Sequence, residues 1–164
     1  MNQNSKDLSL ALTAPFPPDA VRWLPIAVKG NRALAAAYLD GRAIMQRLDC
    51  VFGVGGWSDS YEVLPSGSVV CTLAVKVDGE WVEKTDVGSP SEQPDAGDKL
   101  KAAFTDALKR AAVKLGIGRY LYRLQNQWCD FDPQSRRFTK TPALPAWALP
   151  STGKIGSVSD KLSA

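Results

Sequence analysis

Between residues 57 and 115 the hydrophobic period changes once, from two to between three and four, and nothing else in the chain restricts its fold as tightly. Val69, Cys71, Leu73, Val75 and Val77 alternate along Ser68 to Val77, the repeat of a strand buried on one face. Asp78-Gly79 is a two-residue hairpin signal leading into a strand from Glu80 to Val87. Pro65-Ser66-Gly67 turns back to an earlier strand, Trp57 to Leu64, so the segment reads as a three-stranded antiparallel meander. The period then lengthens. Leu100, Ala103, Phe104, Ala107, Leu108, Ala111 and Leu115 form one stripe of a helix from Asp98 to Leu115, with Asp98 as its cap and Gly116 as its stop. The fold class is therefore α+β: an antiparallel β-meander packed on a long basic helix, with a first short helix pair and further small strands.

Upstream, Asp40 caps a helix that runs to Phe52, its apolar face made by Ile44, Leu48, Val51 and Phe52, with Gly53 as the stop. Ile26 to Val28 and Ala33 to Leu39 read as strands joined by the turn Lys29-Gly30-Asn31-Arg32. Asp19 to Leu24, after Pro15, Pro17 and Pro18, reads as one helical turn. Residues 1–16 are expected to be a flexible arm. They lack the basic n-region and long apolar core of a signal peptide, and the alternation of Leu8, Leu10 and Leu12 is short. Pro142, Pro145 and Pro150, with Ser, Thr and Gly, mark 141–164 as a flexible tail and leave 17–140 as the folded unit.

The inventory of reactive side chains narrows the chemistry. The 164 residues include no histidine, which excludes Ser/His and Cys/His nucleophile pairs, His-ligated zinc and imidazole acid–base chemistry. Cys50, Cys71 and Cys129 are odd in number and form no CxxC pair, so a reducing, intracellular compartment is expected. Cys71 shares a strand face with Val69 and Leu73, the setting of a buried, inert thiol. No apolar run approaches the roughly 20 residues of a membrane span. Gly53-Val54-Gly55-Gly56-Trp57 fails the dinucleotide fingerprint because residue 58 is serine, no phosphate-loop motif occurs, and an acid-x-lysine nuclease motif is absent. Asp130 and Asp132 alternate on one strand face, which suits a metal, yet they have no evident third ligand.

Charge is distributed unevenly. The net charge is only +3, but residues 78–97 carry six acids against Lys84, a local balance of −5. Residues 98–124 carry Lys99, Lys101, Lys109, Arg110, Lys114, Arg119 and Arg123 against Asp98 and Asp106, a balance of +5. On a helical wheel Lys109 lies opposite the apolar stripe, with Lys99 and Arg110 to one side and Lys101 to the other. Such a face either meets an anion or is simply solvated. Asp106 and Arg110, four apart, are spaced to pair. In Arg119-Tyr120-Leu121-Tyr122-Arg123 bases alternate with aromatics, and Tyr120 and Tyr122 suit either base stacking or the core, as do Trp23, Trp81, Trp128 and Trp147.

Two stretches together resemble a known family. Gly41 to Trp57, GRAIMQRLDCVFGVGGW, is similar to the helix and Phe-Gly-x-x-Gly-Trp turn of the Rad52/22 family of single-strand-annealing proteins. Thr105 to Gly116, TDALKRAAVKLG, followed by Arg119 to Tyr122, resembles the second hallmark, and Asp86-Val87-Gly88 matches as well. The likeness runs from about Leu24 to Leu124 and looks closest to a bacterial DNA-damage-response branch. It implies subunits that form a ring, with single-stranded DNA in a basic groove between the meander and the long helix. The family's inner DNA-contacting pair carries over onto Lys109 and Arg110. A third base one turn later falls on Val113, with Lys114 beside it; the base of the first helix falls on Ala43, with Arg42 one place earlier. Val54 stands where some relatives carry an aromatic.

The resemblance implies a non-catalytic single-stranded DNA-binding protein of double-strand-break repair, cytoplasmic and nucleoid-associated, that protects 3′ ends and promotes annealing. It implies a homo-oligomeric ring; that no cofactor, metal or membrane takes part is expected from the residue inventory and the lack of a long apolar run. The candidate DNA-binding residues are Lys109, Arg110, Lys114, Arg42, Lys99, Lys101, Arg119, Arg123 and Tyr120. Two alternatives stand beside it: a double-stranded-RNA-binding domain, which also has a meander followed by a helix, and a protein-interaction scaffold with a basic face.

Overall fold

The computed structural model describes residues 3–91 and 95–151 and has the α+β architecture that the two hydrophobic periods predict. Helix α1 spans Gln3–Thr13, and a 3-10 turn at Pro18–Ala20 leads into a hairpin of β1 (Arg22–Lys29) and β2 (Arg32–Tyr38). Helix α2 (Gly41–Phe52) precedes the meander β3 (Trp57–Val63), β4 (Val69–Val77) and β5 (Glu80–Gly88). Helix α3 (Ala96–Leu115) is followed by a 3-10 turn at Arg119–Arg123, strands β6 (Gln127–Asp132) and β7 (Arg137–Phe138), and a last 3-10 turn at Ala146–Ala148. The strands form two antiparallel sheets, one ordered β1-β2-β6-β7 and one ordered β3-β4-β5.

Local chemistry accounts for the element ends. The Asp40 carboxylate accepts from Ala43 N at 2.9 Å and caps α2, while Gly53 N closes its last turn on Asp49 O at 2.9 Å. Asp78 and Gly79 have φ of 51° and 90°, the left-handed pair that a tight hairpin needs to match the twist of its strands. Helix α3 begins two residues earlier than its apolar stripe predicts. Asp95, not Asp98, is the cap, accepting from Asp98 N at 3.0 Å, and Asp98 sits three residues in, where a carboxylate complements the helix dipole.

One face of the meander carries buried Val69, Cys71, Leu73 and Val75, and α3 lies on it through Ala103, Ala107, Leu108 and Ala111. The small residues let the helix sit close. A Cβ at Gly88 would collide with Ala103 O and Ala107 N, so only glycine lets β5 cross α3 here. Ile44 and Leu48 of α2, with Ile117, Leu39 and Val21, complete the core.

Three expectations are corrected. Residues 1–16 are not a flexible arm where they are described: α1 lays Leu12 into the core, and Phe16 is buried beyond it. The anchor is Arg47 of α2. Its Nη1 donates to Ala11 O at 2.9 Å and Ala14 O at 2.8 Å, and its guanidinium lies 4.1 Å from the Phe16 ring centroid. The helical turn expected at Asp19 to Leu24 is shorter, because β1 starts at Arg22 and pairs Trp23 with Ala37 and Leu24 with Ala36. Pro25 is accommodated because β1 is an outer strand whose register shifts between Pro25 and Ala27. The tail expected from 141 is packed as far as it is described, with Ala148 buried and Leu144 against the core. Glu92 and residues 152–164 lie outside the described residues.

Candidate nucleic-acid interface

Lys109 projects from α3 on the side away from the meander, as its place opposite the apolar stripe requires. There a cleft of about 430 Å³ opens between the end of β2, α3 and the 3-10 turn Arg119–Arg123. Its lining includes Tyr38, Lys109, Arg110, Tyr122 and Asn126 over an apolar floor that contains Leu39 and Ile117. The Lys109 ammonium lies 5.6 Å from the Tyr38 ring centroid, and Tyr122 is 72% exposed at the lip. Cation, aromatic face and open mouth together suit a chain of alternating phosphates and bases. At the Gly88 crossing β5 and α3 are in direct contact. The cleft lies against the end of β2, and two of its lining residues, Asp106 and Arg110, also reach Ser89 and Asp86 at the end of β5.

The structure separates the candidate cations by what already holds them. Lys109 and Arg110 line the cleft. Arg110 Nε is 3.3 Å from Asp86 Oδ1 and Lys114 Nζ is 3.2 Å from Asp86 Oδ2, while Lys114 also donates to Thr85 O. Burial opposes the charged form of Asp86, but the Val87 amide, Lys114 and Arg110 outweigh it and hold the carboxyl below the usual carboxylate range. The expected Asp106–Arg110 pair is not the one formed: Asp106 Oδ2 accepts from Ser89 N at 3.2 Å. Arg119 is spent on the end of α3, its Nε and Nη2 reaching Val113 O at 2.9 and 2.7 Å and its Nη2 reaching Lys114 O at 2.9 Å. Arg123 stacks on Trp147 with its carbon 4.8 Å from the ring centroid. Tyr120 is half-buried and its hydroxyl accepts from Phe16 N at 3.0 Å, so it holds the N-terminal segment rather than facing the cleft. Burial raises its pKa against the Phe16 amide and Arg47.

Lys99 and Lys101 are exposed in the first turns of α3, with Lys101 Nζ 3.3 Å from Asp98 Oδ1. Arg42 is exposed in the first turn of α2, where a Cβ on neighbouring Gly41 would lie 3.1 Å from Thr105 of α3. None of these three lines the cleft. Asp130 and Asp132 do not converge with a third ligand among the described residues. Asp132 instead accepts from Ser135 Oγ at 2.6 Å and Gln134 N at 2.9 Å, which closes the turn into β7 and lowers its pKa. Cys71 is fully buried, and burial pushes its thiol up to about 11. Trp57 donates from Nε1 to Asp49 Oδ1 at 2.8 Å, which staples the glycine-rich turn back onto α2.

Sequence reasoning missed Tyr38 and Asp86. Tyr38 was findable: Ala33, Ala35 and Ala37 alternate with Leu34, Ala36 and Tyr38, so burying the small set leaves the tyrosine on the other face. Asp86 stood only in the Asp86-Val87-Gly88 match, and nothing local marks its ion pairs, since its partners lie 24 and 28 positions on and meet it only when β5 crosses α3.

Residues 4–136 match the model of the Rad52/22 family of double-strand break repair proteins. The chain is 42% identical over 146 residues to the single-stranded DNA-binding protein DdrA of Deinococcus radiodurans, covering 88% of this chain and 68% of that one. It is likewise 42% identical over 146 residues to the DdrA of Deinococcus deserti, covering 88% of this chain and 71% of the relative.

Proposed function

Because the chain belongs to the Rad52/22 family of double-strand break repair proteins, we propose that it is a non-catalytic single-stranded DNA-binding protein that occupies and protects 3′ ends and promotes annealing of complementary strands. One observation carries this reading: the cleft between β2, α3 and the Arg119–Arg123 turn pairs the Lys109 ammonium with the Tyr38 ring and leaves Tyr122 open at its mouth. Phosphate–cation contacts supply affinity without sequence preference, and aromatic faces accept any base. The family match over residues 4–136 favours this reading over a double-stranded-RNA-binding domain and over a scaffold for acidic proteins.

The protein works in the cytoplasm on nucleoid DNA and assembles as a closed ring of identical subunits. The acids of 78–97 other than Asp86, which Arg110 and Lys114 hold within the chain, complement bases of the next copy outside the cleft, and a head-to-tail contact of that kind makes a ring when its rotation closes. It uses no metal or nucleotide. Ends are protected by occupancy, so a 3′ exonuclease is slowed in proportion to the fraction of ends bound.

The test uses a labelled single strand titrated with protein over a range of salt, followed by 3′ exonuclease digestion of the bound strand. Log affinity is expected to fall with log salt at roughly −0.7 per phosphate neutralised. Protection should rise with saturation, with and without Mg²⁺. Salt-independent binding, or unchanged digestion at saturating protein, contradicts the reading. Solution mass tests the ring: a 17.7 kDa species at micromolar concentration contradicts it.

A further inference from the structure

Three charged side chains converge where β5 leaves the meander and crosses α3. Asp86 is 21% exposed, and each of its carboxylate oxygens takes one cation, Oδ1 the Nε of Arg110 at 3.3 Å and Oδ2 the Nζ of Lys114 at 3.2 Å. Oδ1 also accepts from Val87 N at 2.8 Å. Lys114 is held a second time by Thr85 O and does not line the cleft, although its side chain is 46% exposed. Arg110 is held through Nε alone and does line the cleft, which leaves its Nη edge for another anion.

Resting on the DNA-binding function proposed above, we propose that Asp86 is a positioning residue that sorts the cations of α3. It withdraws Lys114 from the DNA path and leaves Lys109 and the outer edge of Arg110 to the phosphates. The carboxylate stands to Lys114 as a phosphate would. For DNA to recruit Lys114, two contacts must break, whereas recruiting Arg110 breaks none, because a guanidinium presents separate donor edges. Three helix cations therefore contribute as two, and the sequence pattern of bases on α3 overstates the number of phosphates engaged.

The experiment measures affinity and salt slope by fluorescence anisotropy on a labelled oligothymidylate, with thermal unfolding as a check on each variant. Lys114→Gln is expected to stay within about twofold of wild type with the same slope, whereas Arg110→Gln loses about one phosphate's worth of slope, roughly 0.7. In Asp86→Asn only the Thr85 carbonyl still holds the lysine, the slope steepens by up to about 0.7, and adding Lys114→Gln restores the wild-type slope. A plain structural role for Asp86 would change stability and leave the slope alone. Equal losses of affinity and slope from Lys114→Gln and Arg110→Gln in the wild-type background overturn the proposal, and that comparison stands even if Asp86→Asn does not fold. A wild type that binds while Lys114 behaves as Arg110 does removes this inference only. A wild type that binds no single strand removes the DNA-binding function and this inference with it.

Discussion

Replacing Arg47 with methionine keeps the aliphatic stem of the side chain and removes the group that holds the N-terminal helix. In the native protein the guanidinium donates to Ala11 O at 2.9 Å and Ala14 O at 2.8 Å, more weakly to Leu12 O at 3.4 Å, and covers the Phe16 ring at 4.1 Å. Hydrogen bonds from a charged donor contribute about 1.5 to 3 kcal/mol when buried, and at this half-exposed position about 1 kcal/mol each is the appropriate figure for the two short ones. The stack on Phe16 adds about 0.5 to 1 kcal/mol. The expected cost is therefore about 2.5 to 3 kcal/mol, or a fall in Tm of roughly 5 to 12 °C for a chain of this size. The loss should be local at first, since Leu12 and Phe16 leave the core while the meander and α3 stay packed. Limited trypsin digestion should thus cut early at Lys6 in the variant and late in wild type, and urea midpoints should give the global cost. A variant within about 0.5 kcal/mol of wild type, with the same Lys6 protection, refutes the claim that Arg47 fastens α1.

Other perturbations separate core from surface. Leu108→Ala, at a site 5% exposed, should cost about 2 to 5 kcal/mol by urea denaturation. Because the Cys71 thiol is buried and pushed up to about 11, alkylation at mildly alkaline pH followed by mass spectrometry should modify exposed Cys50 and spare Cys71 in the native protein. The Asp86 carboxyl is held below its ordinary value, so its contribution to stability is complete above the unfolded pKa of about 3.9 and is lost as pH falls through the lower folded value. Urea midpoints should therefore drop more steeply in acid for wild type than for Asp86→Asn.

The parts of this fold that were legible in the sequence are those whose cause is local. The alternation of β4, the Asp78-Gly79 turn, the Asp40 cap and the stripe of α3 from Ala103 on each depend on residues within a few positions of one another, and the structure places them as expected, whereas Leu100 at the head of the stripe is exposed. What was hidden depends on partners far along the chain. The Leu8, Leu10 and Leu12 pattern suits either a strand or a helix, and the end of the helix that forms is held by Arg47, which lies 33 positions beyond Ala14. Residues 142–150 read as tail because their prolines and alanines carry no period, yet Ala148 is buried and Trp147 meets Arg123. The candidate site divides in the same way. A helical wheel turned Lys109 off the core stripe, but the wheel says nothing about which cations a carboxylate on another strand has already claimed, nor that the end of β2 forms one wall of the cleft.

The central claim, that single-stranded DNA lies in the cleft beside Lys109, is tested most directly by comparing two identical charge reversals. Lys109→Glu places the change in the cleft, and Lys76→Glu places it on the exposed face of β4 away from α3. Both variants alter net charge equally and should unfold near the wild-type temperature. Anisotropy on the same oligothymidylate at moderate salt is predicted to show at least a roughly tenfold loss for Lys109→Glu, with a shallower salt slope, and near wild-type binding for Lys76→Glu. Equal losses in the two variants, or wild-type affinity in Lys109→Glu, would contradict the account.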